Sequence, residues 1–260
     1  MVRFTILGSG SSGNCAYLET DQARILIDAG FSGKQIAQRL EKIGRKIEDI
    51  NAVILTHEHS DHTQGLNILC NRHKIPLYCN RLTQEAIAGN LNGFTNYQIF
   101  STGSTFMIRD IGIETFSVPH DAYDPVGFAL TAGKSKIGFL TDLGYATRLV
   151  IERIRQSNVI VLETNHDLKL LQNDTKRPWS VKQRILSRHG HLSNEAAAEL
   201  TKEIVTDNLR QLYLGHLSRD CNSPELAFQT VSTMLGTIGA MHVSAQVTSQ
   251  DEPCSTLELA

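Results

Sequence analysis

Apolar and polar positions along this chain fall into short blocks from its first residues onward. The segments 3–7, 15–20 and 24–28 alternate or run apolar, and further runs stand at 52–55, 76–79, 105–108, 111–118, 126–132, 136–141, 158–163 and 209–214. Many are rich in β-branched residues, and each predicts a strand. Helical spacing occupies 33–43, 64–74, 82–91, 145–156, 180–189, 193–206 and 223–236. Ser193-Asn194-Glu195 gives the helix near 193 a start signal, and Pro224 suits the first turn of the last one. The early runs read as hairpins, and a helix follows only after Asp28, which speaks against a simple doubly wound sheet. More than ten short strands with helices between them predict an α/β fold of two packed sheets flanked by helices. One domain is expected over 1–243. The segment 244–260 is polar, contains Pro253 and lacks a periodic apolar face, so a disordered or loosely attached tail is expected there.

Composition adds little to this picture. At 260 residues, with 41% hydrophobic and 20% charged residues, the chain fits a globular enzyme with one substantial core. The net charge of −2 gives no global signature of nucleic-acid binding, although a local patch can supply one. No apolar run approaches the roughly 20 residues that span a bilayer, so no membrane association is expected. Residues 1–7 read straight into a strand and lack the layout of a signal peptide. The cysteines at 15, 70, 79, 221 and 254 form no Cys-x-x-Cys pair. Reduced thiols in a cytoplasm account for them most simply. The sequence carries no signal for an oligomeric state.

Chemistry concentrates in Thr56-His57-Glu58-His59-Ser60-Asp61-His62, directly after the apolar run 52–55. A rigid strand that ends in a ligand-dense loop is how such folds place a site. His57 and His59 can share one face while Asp61 and His62 turn to a second position, so the spacing suits two divalent metal ions. A histidine-rich site suits Zn, and the mixed nitrogen and oxygen set also admits Mn. Three further candidates end apolar runs: His120 after 113–118, Asp142 after 137–141 and His216 after 212–215. Asp142 could bridge two cations, one on each oxygen.

Gly8-Ser9-Gly10-Ser11-Ser12-Gly13 matches the dinucleotide fingerprint in letters, and Asp28 lies 20 residues after its first glycine. That fingerprint needs a helix to open after the glycines, whereas 14–20 alternates like a strand. A tight glycine-rich hairpin is expected instead. Its amides and hydroxyls could reach a phosphate near the metals, with Ser12 and Asn14 as candidate donors.

This His-x-His-x-Asp-His loop, followed by a His, an Asp and a final His at strand ends, resembles the metallo-β-lactamase superfamily. The resemblance covers residues 3 to about 220 and implies a four-layer αβ/βα sandwich of two mixed sheets, with metals in a groove at the sheet edges. It implies His57, His59 and His120 on one metal, Asp61, His62 and His216 on the other, and Asp142 between them. It also implies that Asp28, in Leu26-Ile27-Asp28-Ala29-Gly30, supports the ligand loop rather than ligating.

Four more segments, 8–14, 163–167, 177–182 and 190–194, ending in Gly215-His216-Leu217-Ser218, resemble the WalJ (YycJ) group of bacterial proteins. That resemblance implies a 5′-to-3′ exonuclease on double-stranded DNA. It also sets His191 where ribonuclease Z carries a histidine that assists phosphodiester cleavage. Asp61 and His191 are then the candidate catalytic residues. From Lys169 to His189, six cations (Lys169, Lys176, Arg177, Lys182, Arg184, Arg188) face one acid, Asp174, around the chain's only tryptophan, Trp179. This suits a nucleic-acid contact, with Lys182 a candidate, or else a solvated helix with Trp179 packed inward. Glu163, His166 and Asp167 follow the strand 158–163; His166 could bind substrate or metal, or sit in a buried network. The alternative activity is a thioester or lactone hydrolase on the same metals, which would favour an enclosed pocket without a basic rim.

Overall fold

In the computed structural model, which describes residues 1–259, the predicted runs become two mixed sheets. The first sheet is built from β1 (Val2–Gly8), β2 (Cys15–Glu19), β3 (Arg24–Ile27), β4 (Ala52–Ile54), β5 (Leu77–Asn80) and β6 (Tyr97–Phe100). The second contains β7 (Thr105–Ile108), β8 (Ile111–Ser117), β9 (Val126–Ala132), β10 (Ser135–Leu140), β11 (Val159–Glu163), β12 (Gln211–Gly215) and β13 (Ser244–Val247). A last strand, β14 (Leu257–Leu259), returns to pair antiparallel with β1 in the first sheet. β1 to β3 pair antiparallel and β3 to β6 parallel, while β7 to β10 pair antiparallel and β10 to β13 parallel.

Period-two alternation assigns the two faces of each strand. In β3, Ile25 and Ile27 enter the core between the sheets, whereas Leu26 joins the outer layer around α1 (Gly33–Lys42). In β11, Val159 and Val161 face inward to the same core. Ile160 and Leu162 pack outward with α4 (Arg148–Ile154), α7 (Asn194–Ile204) and α8 (Pro224–Thr237). Both faces of these strands are therefore covered, which explains their continuous apolar runs. The result is the expected four-layer sandwich, and the glycine-rich segment is indeed the turn of the β1–β2 hairpin. No helix among the described residues is long and apolar enough to cross a membrane.

Three expectations need correction. The helix expected at 64–74 is the short α2 (Ser60–Thr63) followed by a π-helical turn over Asn67–Arg72, and the one expected at 82–91 is α3 (Arg81–Ile87) with a 3₁₀ turn after it. α5 (Leu168–Asn173) precedes α6 (Trp179–Ile185), and β6 was not anticipated. The segment expected as a loose tail is paired along its length: β13 lies parallel to β12 and β14 antiparallel to β1. Between them Arg39 donates to the carbonyls of Gln250 and Asp251, and the Cys254 amide donates to Ile6. Backbone pairing holds this segment, and a hydropathy pattern does not record backbone pairing. Ala260 lies outside the described residues.

Gly30 shows how the first sheet meets the ligand loop. A Cβ built there would stand 1.7 Å from the Asp61 carbonyl oxygen and 2.5 Å from the Asn14 nitrogen. The close approach lets Asn14 N–H donate to the Asp61 carbonyl at 2.8 Å. Gly30→Ala is therefore expected to destabilise the fold by about 3 kcal/mol, the upper range for overpacking a rigid site. Equilibrium denaturation measures this directly; a change under about 0.5 kcal/mol would show that the loop yields freely.

Candidate metal centre

Each candidate side chain sits where a strand gives way to a loop. The loop 57–62 follows β4, the residues past β3, β8, β10 and β12 supply Asp28, His120, Asp142 and His216, and Glu163 is the last residue of β11. Asp28, Asp142 and His216 have φ of 59°, 56° and 59°. This left-handed conformation is uncommon for non-glycine residues and persists where the surroundings enforce it. The three strand ends turn sharply there, which brings their side chains to one sheet edge.

Two clusters of ligand atoms result, each with its atoms within 4.8 Å of one another: His57, His59 and His120, and Asp61, His62, Asp142 and His216. Asp142 spans both. Its Oδ1 lies 3.6 Å from His120 Nε2 and 3.5 Å from His216 Nε2, while Oδ2 lies 3.0 Å from His62 Nε2.

Surrounding groups fix which nitrogen faces the cluster. Asp28 Oδ2 takes His62 Nδ1–H at 2.8 Å, the Gly190 carbonyl takes that of His120 at 3.1 Å, and Glu163 Oε1 takes that of His216 at 2.8 Å. His57 Nδ1 is 3.0 Å from Thr56 Oγ1, which donates in turn to Asp28. With Nδ1 engaged in these four, their Nε2 atoms are left for a cation, the arrangement that carbonyl and carboxylate partners impose on metal-binding histidines, whereas His59 turns Nδ1 toward His120 Nε2 at 3.3 Å. His57 Nε2 is buried without any partner, a costly state for a polar atom unless something coordinates it. The donor set is compatible with a divalent metal site.

Charge is balanced within the cluster. Burial pushes His62 toward neutrality, but Asp142, Asp28 and Asp61 outweigh it and hold the imidazolium well above its ordinary range. Asp142 is buried too, yet His216 and His62 keep its carboxyl well below the usual range. His57 and His120 go the other way, both driven down by burial, His57 also by the neighbouring His62.

Beside the clusters, Glu163 links two histidines through one oxygen. Oε1 takes Nδ1–H of His191 at 2.7 Å as well as that of His216, and Oε2 accepts from the Leu143 and Leu192 amides. Burial raises the Glu163 carboxyl, but His191 and His216 bring it down to about 2. Glu163 in return raises His191 against the effect of burial. The sequence placed Glu163 at a strand end without giving it a role, although it occupies the same slot as Asp142 and His216.

The other candidates divide. Ser12 lines a polar cavity of about 550 Å³ with Ser11, Ser60 and Asp61. Asn14 is buried, and its amide braces Gly10, Asp61 and His62. Lys182 is also buried, with Nζ donating to the Gln172 carbonyl, which corrects its expected place on the surface. His166 is buried with both ring nitrogens unpartnered, and its pKa falls to about 4 through burial. It belongs to neither ligand cluster.

The basic stretch is partly neutralised by acids both within it and distant in sequence. Arg177 pairs with Asp174 and Asp220, Arg184 pairs with Asp121, and the Arg188 guanidinium lies over the Tyr145 ring. Trp179 is 63% exposed, so it does not pack inward. Arg177 and Arg184 still line a cavity of about 220 Å³ that opens on His191, and Ser11 belongs to this cavity and the larger one alike.

Comparison with known proteins agrees with this architecture. A profile described as the Beta-lactamase superfamily domain matches residues 23–217. Exodeoxyribonuclease YycJ of Bacillus anthracis is 39% identical over 237 residues, covering 90% of this chain and 89% of that protein. Exodeoxyribonuclease WalJ of Streptococcus pneumoniae is 39% identical over 238 residues, covering 90% and 88%. Among solved structures, the metallo-β-lactamase fold protein YhfI from Bacillus subtilis aligns with a TM-score of 0.74 at 15% identity. That alignment covers 97% of this chain and 98% of YhfI, a likeness of fold.

Proposed function

The chain belongs to the metallo-β-lactamase superfamily, in company with the WalJ and YycJ proteins, and from that premise we propose a 5′-to-3′ exonuclease that hydrolyses double-stranded DNA. The observation that carries the hydrolytic part is Asp142 standing between two ligand clusters while Glu163 holds His191 beside them. The choice of DNA is supported by the exodeoxyribonuclease names of relatives that match nine-tenths of the chain.

In this reading His57, His59 and His120 would hold one divalent cation, Zn or Mn, and Asp61, His62 and His216 a second, with Asp142 within reach of both sets. When bound, such cations lower the pKa of water and neutralise phosphoryl charge. The protein's own groups do the rest. In the metal-free protein His62 and His216 hold the Asp61 carboxyl below its usual range against the effect of burial, and in this reading Asp61 orients the attacking water by accepting its hydrogen bond. Glu163 favours the protonated form of His191, and in this reading that imidazolium donates its proton to the departing 3′-oxygen. Ser12 lies along the larger cavity, where its hydroxyl can donate to a phosphate. Arginines around the smaller cavity favour a phosphate-bearing substrate over a thioester or lactone.

The test uses metal-reconstituted protein on duplexes labelled at the 5′ or 3′ end. Stepwise release from the 5′ end is expected, with Asp61→Ala at least about 100-fold slower, as for loss of a positioned acid–base group. Release from the 3′ end would reverse the polarity, and no cleavage with either Zn²⁺ or Mn²⁺ would refute the nuclease reading.

A further inference from the structure

Tyr123 is 72% exposed, and the loop that carries it is fastened to the metal centre. Its own N–H donates at 2.9 Å to Oε1 of Glu58, which stands between His57 and His59. On one side, His120 is three residues away and Asp121 pairs with Arg184. On the other, Asp124 accepts from Thr102 Oγ1 at 2.7 Å through its carboxylate and from Asn80 Nδ2 at 2.6 Å through its carbonyl. The Val118 amide closes the loop on the Pro125 carbonyl at 3.1 Å. A large aromatic side chain is thus displayed to solvent on a segment with little freedom to move, at the rim of the ligand clusters.

We infer that Tyr123 is a stacking platform for a nucleobase of the strand being cut; this rests on the nuclease reading above. The rim favours a base over a phosphate as the contact. Glu58, which accepts from the tyrosine's own N–H, and Asp124, next in the chain, are acids without an ion-pair partner among the described residues, and acids repel a phosphate. A neutral ring is what remains to hold DNA there, and every base offers a π-face to it, so the contact tolerates any sequence. The anchored loop lowers the ordering cost of stacking. A base of the bound strand stacked on this ring would set which phosphate is presented for cleavage.

The experiment removes the base and the ring separately. Wild type, Tyr123→Ala and Tyr123→Phe, each reconstituted with Mn²⁺ and checked for equal metal content, are given a duplex that is intact or carries an abasic nucleotide at the terminal or second position of the cut strand. In wild type and Tyr123→Phe, base loss at one of these positions should lower kcat/KM about tenfold, whereas Tyr123→Ala should already be about tenfold slower and lose no more than about twofold further. Equal penalties in wild type and Tyr123→Ala would overturn the platform while leaving the nuclease reading intact. Failure of wild type to cut any of these duplexes would overturn both.

Discussion

Asp142→Ala should abolish DNA hydrolysis and strip the protein of bound metal in one step. Asp142 approaches His120 in one cluster and both His62 and His216 in the other, so neither cluster keeps its geometry without it. Losing several kcal/mol of transition-state charge stabilisation corresponds to a fall in kcat of about a thousandfold or more. The substitution also leaves His62 and His216 without a main counter-charge, so the metal-free protein should lose stability. Elemental analysis after reconstitution, read beside the rate of duplex degradation, decides the matter. Full metal content with activity within about tenfold of wild type would remove Asp142 from the centre.

His191→Ala should behave in the opposite way, slowing turnover while leaving metal content unchanged. A positioned proton donor contributes roughly 10²–10⁴-fold, and that is the loss expected on DNA. The loss should shrink on a nucleoside 5′-phosphate ester with a p-nitrophenol leaving group, because p-nitrophenolate departs without needing a proton. Asp142, Glu163, His191 and His216 also form a compact group of ligand atoms, which gives the prediction a clear alternative. If His191→Ala loses metal in proportion to activity, His191 is a ligand and Glu163 its support. If the slow rate persists with the activated ester, the side chain binds the phosphate rather than the leaving group.

The contrast between these two residues marks how much of the site was legible. Asp142, like His57 to His62, His120 and His216, is an ionisable residue at the end of an apolar run, and the run itself says that the backbone leads to a sheet edge. Glu163 has the same signature, but its part depends on having His191 and His216 within hydrogen-bond reach of one oxygen, which no local pattern contains. Asn14 and Lys182 show the converse. Polar side chains in a loop and in a basic stretch look exposed from sequence, yet the fold buries both against distant backbone and side-chain acceptors. The cations of residues 169–189 likewise meet Asp121 and Asp220, from outside the stretch, so the local excess of charge overstated the free positive surface.

The sequence by itself determined the sandwich, because alternating and continuous apolar runs dictate which strand faces must be covered, whatever their partners. It also determined the chemistry of the centre, since three histidines and an aspartate packed into one loop have few other uses. Tertiary structure alone decided the order of the strands and the capture of the 244–259 segment as sheet edges, because hydrogen bonds between backbones carry no side-chain signature. It alone decided the tautomers of the histidines, the pairing of Glu163 with His191 and the anchoring of Tyr123. Each of these is a contact between residues far apart in the chain, and its energy depends on distances that exist only after the sheets have closed.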